Sequence, residues 1–154
     1  MAAYVFDSSA VVKRYMRETG TAWVLSLTDP GAGHAIYVAG ITGVEVVSAL
    51  TRQTRSGGLS PTAAATALEQ FRHDFAHQYH RVAITPTLLA RAMALAETHA
   101  LQGYDAVQCA VAVVVHTERQ ALGMPPLTLV SADDALNTAA AAEGLLVEDP
   151  NAHP

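Results

Sequence analysis

Short apolar runs alternate with helix-forming segments along nearly the whole chain, and this alternation limits the fold more than any other feature. Residues 3–7, 35–38, 81–85, 127–130 and 145–147 read as strands. Between them the spacing predicts helices over 9–18, 21–28, 41–55, 61–79, 86–101, 104–121 and 134–142. Gly20 and Pro30 bound the second helix, and Gly57-Gly58 ends the third. Ser60-Pro61 and Thr85-Pro86 each place a capping hydroxyl before a proline at the first helical position. Strands joined through helices run parallel, and both faces of the sheet are then covered. An α/β fold with a central, mainly parallel sheet follows. Functional sites in such sheets form outside the carboxyl ends of the strands.

The chain has 154 residues, enough for one domain with its own core. Residues 1–149 are expected to form that domain, with 150–154 as a flexible tail. Hydrophobic residues make up 51% and charged residues 15%, which excludes a disordered chain. The single cysteine, Cys109, excludes an internal disulfide framework and lies in an apolar run, as a buried inert thiol would. No basic leader or long apolar segment opens the sequence, and residues 106–115 are too short to span a bilayer. A cytoplasmic protein is expected.

Four acids break the apolar pattern. Asp7 closes the first strand, and Glu45 interrupts the apolar helix around Val44 and Val46. Asp105 opens the most hydrophobic helix, and Asp133 follows the strand 127–130. Each has a local alternative. Asp7 suits a helix cap, although Ser8 and Ser9 are also available. Glu45 can reach an exposed edge or Arg52, and Asp105 sits where a helix dipole favours an anion. If Ser131 caps the last helix, Asp134 is the residue that bonds back to the cap, which frees Asp133 for the strand end.

A lone buried carboxylate costs several kcal/mol unless it is paired, protonated or bound to a metal. Two carboxylates at ~4 Å repel by about 4 kcal/mol at an effective dielectric of ~20. A shared divalent cation removes both penalties, and an all-oxygen set suits Mg²⁺ or Mn²⁺. Such ions serve phosphate chemistry. The net charge of −5 comes mostly from these four acids, so no broad basic surface marks a nonspecific nucleic-acid binder. Lys13, Arg14, Arg17 and Arg52 lie on helices that carry or follow site acids, and are candidates for RNA contact.

His73-Asp-Phe-Ala-His77, with His80 beyond it, resembles a zinc-protease helix, but the glutamate base is replaced by Asp74. The helical period places these histidines opposite the apolar face formed by Ala64, Leu68, Phe71 and Phe75. Ser9 stands where a dehalogenase-type phosphatase needs its second aspartate. A non-catalytic partner-binding module also remains open.

Tyr4-Val-Phe-Asp-Ser-Ser-Ala-Val-Val-Lys13, Val44-Glu-Val-Val-Ser-Ala-Leu50, Tyr104-Asp-Ala-Val107 and Val130-Ser-Ala-Asp133 together resemble the PIN-domain nucleases, specifically VapC-like toxins of toxin–antitoxin pairs. The resemblance implies a three-layer α/β/α fold and a Mg²⁺- or Mn²⁺-dependent endoribonuclease. It implies Asp7, Glu45, Asp105 and Asp133 as metal-binding acids and Ser9 as the hydroxyl beside the first; Ser131, from its own place after the strand 127–130, is a candidate to orient the cluster. The resemblance further implies a homodimer and a cognate antitoxin covering the site. A solitary RNA-processing PIN nuclease is the alternative within the family. Two departures, Gln102-Gly103 before the third motif and Gln108-Cys109 after Asp105, bear on substrate preference rather than on the ligands.

Overall fold

The first strand, β1 (Ala3–Phe6), is buried on both faces: Ala3 and Val5 join one apolar cluster and Phe6 the other. In the computed structural model, which describes residues 1–154, this two-sided burial repeats in the neighbouring strands. The chain continues through α1 (Ser8–Tyr15), α2 (Thr21–Thr28), β2 (Ala35–Ala39), α3 (Thr42–Arg55) and α4 (Pro61–His77). Then come β3 (His80–Val82), α5 (Pro86–His99), α6 (Gly103–Ala121), β4 (Leu127–Val130), α7 (Asp134–Ala142) and β5 (Leu146–Glu148).

All five strands are parallel, in the order β3-β2-β1-β4-β5. Helices α1 to α4 pack on one face through Val11, Val24, Val46, Leu50 and Phe71. Helices α5 to α7 cover the other through Leu88, Ala92, Cys109, Val111 and Leu136. This is the expected three-layer α/β/α arrangement. Each fully buried Leu or Phe contributes about 1.5–3 kcal/mol, so the two clusters hold the layers without a disulfide. No helix is long and apolar enough to cross a membrane.

The strand order reverses between β1 and β4, which both lead out at the same end of the sheet. Phe6 pairs with Val130, so the residues that follow them, Asp7 and Ser131, emerge side by side. That crevice is where a parallel sheet of this kind accommodates a ligand.

Several expectations are corrected. Helix α1 begins at Ser8 and ends at Tyr15, because Asp7 caps it and Met16 turns to extended backbone. Strand β3 is confined to His80–Val82. The residues after Asp149 are docked rather than frayed. Pro150–Ala152 form a 3-10 turn capped by Asp149, and Pro150 is buried. Asn151 Oδ1 accepts a hydrogen bond from Lys13 Nζ at 2.8 Å. His153 stacks on Trp23 at 4.1 Å and bonds to Glu148. Gly20, at φ +85°, lets the Pro150 carbonyl approach so closely that a Cβ there would collide with it.

Candidate active site

Asp7 is buried at the end of β1 and is held by three donors. The Ser9 hydroxyl and the Ala10 amide donate to Oδ1 at 2.7 and 3.0 Å. The Ser131 hydroxyl donates to Oδ2 at 2.7 Å. Asp7 is therefore itself the cap of α1, and the adjacent serines serve it instead of replacing it. Burial pushes its carboxyl up to about 6, against the three hydrogen bonds and with a further upward push from Glu45. Ser9 Oγ also accepts from the Ala132 amide at 2.9 Å, which ties the start of α1 to the loop after β4.

That loop corrects a second expectation. Ser131 does not cap α7. Its hydroxyl is directed at Asp7 and accepts from the Asp133 amide at 3.0 Å. Asp133 is the cap, with Oδ1 accepting from the Leu136 amide at 2.8 Å, and Asp134 is an exposed first-turn residue. The loop is braced by Asn137 Nδ2, which donates to the Ser131 carbonyl at 2.8 Å.

Glu45 lies in the first turn of α3 and is half-buried. It makes no ion pair with Arg52; its Oε1 accepts from Gln108 Nε2 at 3.0 Å. Asp105, half-buried in the first turn of α6, makes no hydrogen bond within the protein. Burial raises its carboxyl above the usual range, and the charges of Asp133 and then Glu45 raise it further.

Electrostatic coupling thus links all four acids: Asp7 with Glu45, and Asp105 with both Asp133 and Glu45. None of them is neutralised by a cationic side chain. Both oxygens of Asp105, Oε2 of Glu45 and Oδ2 of Asp133 have no protein donor. This hard-oxygen donor set suits a divalent cation, although the side chains do not form a ready-made cage of three ligands.

An open groove of about 930 Å³ runs alongside. Its walls include Ser9, Glu45, Ser48, Arg52, Tyr104 and Ala132. Tyr104 and Ala132 immediately precede Asp105 and Asp133 in the sequence, and of the four acids Glu45 lines the groove. Tyr104 is exposed at its edge.

The candidate basic residues divide. Arg52 and Arg17 are exposed, and Arg52 lines the groove. Lys13 is buried, with Nζ donating to Glu18, the Thr19 carbonyl and Asn151. Arg14 pairs with Asp74 at 3.2 Å and donates to the Tyr79 hydroxyl at 2.9 Å. Both are committed to internal partners.

On α4, His73 and His77 are exposed and stack on one another, while Asp74 is buried by bonds from Tyr15, Gln70 and Arg14. Asp74 is thus not a free base. Cys109 is fully buried, and burial, then the Glu143 charge, pushes its thiol up to about 11, so it is unreactive as expected. Sequence reasoning missed the contact of Gln108 with Glu45 and Thr42. The available signal was a polar amide in an otherwise apolar helix face, one turn after Asp105.

The five parallel strands between two helical layers form a three-layer α/β/α fold of the PIN type. Three solved structures share this fold. PAE2754 from Pyrobaculum aerophilum aligns with TM-score 0.64 at 18% identity, over 98% of this chain and 85% of that one. FitAcB from Neisseria gonorrhoeae aligns with TM-score 0.60 at 15% identity, over 96% and 97%. VapBC2 from Rickettsia felis, bound to a DNA fragment from its promoter, aligns with TM-score 0.60 at 12% identity, over 96% and 98%. No family model matches the sequence. Ribonucleases VapC45 and VapC49, from two strains of Mycobacterium tuberculosis, are each 34% identical over 149 residues, 97% of this chain and 96% of theirs. The chain belongs to the VapC ribonuclease family.

Proposed function

We propose that this chain is an endoribonuclease that hydrolyses RNA phosphodiester bonds with Mg²⁺ or Mn²⁺, and is the toxin of a toxin–antitoxin pair. The observation that carries the reading is the coupled group of Asp7, Glu45, Asp105 and Asp133 at the strand-order reversal, uncompensated by any cationic side chain. The ribonuclease names of the relatives support the reaction class. Membership of the VapC family supports the toxin–antitoxin setting that the sequence resemblance implies.

In this reading Asp7, Asp105, Asp133 and Glu45 would hold the ion, and Glu45 would also help bind or activate the attacking water. A divalent cation supplies Lewis-acid stabilisation of charge on the phosphoryl oxygens. Ser9 and Ser131 keep Asp7 oriented with its anionic form favoured, which offsets the effect of burial. The Leu136 amide fixes one oxygen of Asp133 and leaves the other without a protein donor. RNA lies in the groove beside Glu45, with Arg52 contacting a phosphate. Attack by water leaves 5′-phosphate and 3′-hydroxyl ends. A homodimer, a cognate antitoxin covering the groove and a cytoplasmic location complete the proposal.

The test is cleavage of single-stranded RNA by purified protein in Mn²⁺ and in excess chelator, beside Asp7→Asn. Cleavage only in Mn²⁺, lost in the folded variant, is expected. Equal activity of wild type and variant, or a 2′,3′-cyclic phosphate product, overturns the reading.

A further inference from the structure

Gln108 is a deeply buried polar side chain near the acids that none of the preceding roles uses. It is 2% exposed and sits one helical turn after Asp105 on α6. Its amide nitrogen has two hydrogens, and both are engaged across the layer boundary. One goes to Thr42 Oγ1 and the other to Glu45 Oε1, each at 3.0 Å, and both acceptors belong to the first turn of α3. Its carbonyl oxygen is buried without a partner.

A buried carbonyl left unpaired is destabilising, and an apolar side chain of the same shape avoids that penalty. The arrangement is therefore not the one that packing alone selects. What it achieves is specific. A neutral donor fixes the Glu45 carboxylate without cancelling its charge, whereas a lysine or arginine here would neutralise it. The bond leaves Oε2 of Glu45 as the oxygen without a protein donor. Because Gln108 and Asp105 share one rigid helix, the same contact sets the spacing between Glu45 and Asp105.

We propose that Gln108 is a positioning residue for this site: it holds Glu45 in the orientation needed for divalent-cation binding and hydrolysis. The inference rests on the metal-dependent nuclease reading above. Outer donors of this kind typically change metal affinity or activity by about 10–100-fold when removed.

The experiment compares wild type, Gln108→Leu, Gln108→Met and Asp7→Asn as full-length proteins. Mn²⁺ binding is followed by electron paramagnetic resonance of the free ion, and RNA cleavage is resolved into kcat and KM. Circular dichroism checks the fold, and Gln108→Met, being flexible, serves if the leucine variant does not fold. The expected result is at least about a tenfold weaker Mn²⁺ affinity and about a tenfold lower kcat, with KM for RNA within about twofold of wild type. A folded Gln108 variant with wild-type Mn²⁺ affinity and kcat overturns the proposal while Asp7→Asn remains inactive. If Asp7→Asn is as active as wild type, the nuclease reading itself fails instead.

Discussion

The Ser131 hydroxyl donates to Asp7 Oδ2 at 2.7 Å across 124 residues of sequence, and this bond joins the ends of the two central strands. It places a buried carboxylate and the loop carrying Asp133 in one unit. Its donor also limits how far burial raises Asp7.

Asp7 makes the metal-free protein sensitive to pH with a defined sign. Its folded value of about 6 lies above the ordinary carboxylate value of 3.8, so the folded state binds the proton more tightly than the unfolded chain does. Its contribution is favourable at the acid end and is lost as pH rises through about 6. The full change is on the order of 3 kcal/mol. In chelator, Asp7→Asn is expected to be more stable than wild type at pH 7, with the gap closing towards pH 4. Urea unfolding at several pH values measures this, and a gap that widens on acidification contradicts the assignment.

Ser131→Ala removes one donor to Asp7 and one acceptor of the Asp133 amide. Both partners are buried or half-buried, so a loss of about 1–3 kcal/mol is expected. The Asp7 carboxyl rises further, and more Mn²⁺ is needed for half-maximal cleavage at pH 6 than in wild type. Unchanged metal dependence in the folded variant speaks against Ser131 acting through Asp7.

Arg14 and Arg52 are expected to differ in kind. Arg14→Ala strands the buried Asp74 carboxylate and should destabilise the protein by about 2–4 kcal/mol. Arg52→Ala should leave stability within about 0.5 kcal/mol and raise KM for RNA, with a weaker salt dependence of binding. Thermal unfolding and cleavage at two ionic strengths separate the cases; equal destabilisation by both substitutions contradicts the assignment.

The docked C-terminus has its own reporter. Trp23 is the single tryptophan and His153 stacks on it at 4.1 Å. Deleting residues 150–154 should expose the indole, red-shift its emission, and lower stability by about 1–3 kcal/mol, because Lys13 then loses Asn151. Gly20→Ala should displace the same segment through the clash with Pro150. Unchanged emission in both variants contradicts the docking.

The alternation of strands and helices, the proline starts at Pro61 and Pro86, and the placement of Asp7 and Asp133 after strands were legible because they obey local rules. The capping of α7 was not. Ser131 and Asp133 are both good caps, and only the presence of Asp7 beside β4 draws the serine away and leaves the role to the aspartate. The basic residues of α1 were misjudged for a related reason. A helical periodicity gives the face of a side chain, but not that α4 would bring Asp74 to Arg14 or the C-terminus bring Asn151 to Lys13.

The sequence by itself determined the fold class, the apolar faces and the four unusual acids, since these depend on residue type and on neighbours within about four positions. Tertiary structure alone decided the strand order β3-β2-β1-β4-β5, and with it the meeting of Asp7 and Ser131 and the contact of Gln108 with Glu45. Those contacts span 124 and 63 residues. They exist only because two helical layers pack on opposite faces of one sheet, which fixes where the ends of distant strands and helices converge.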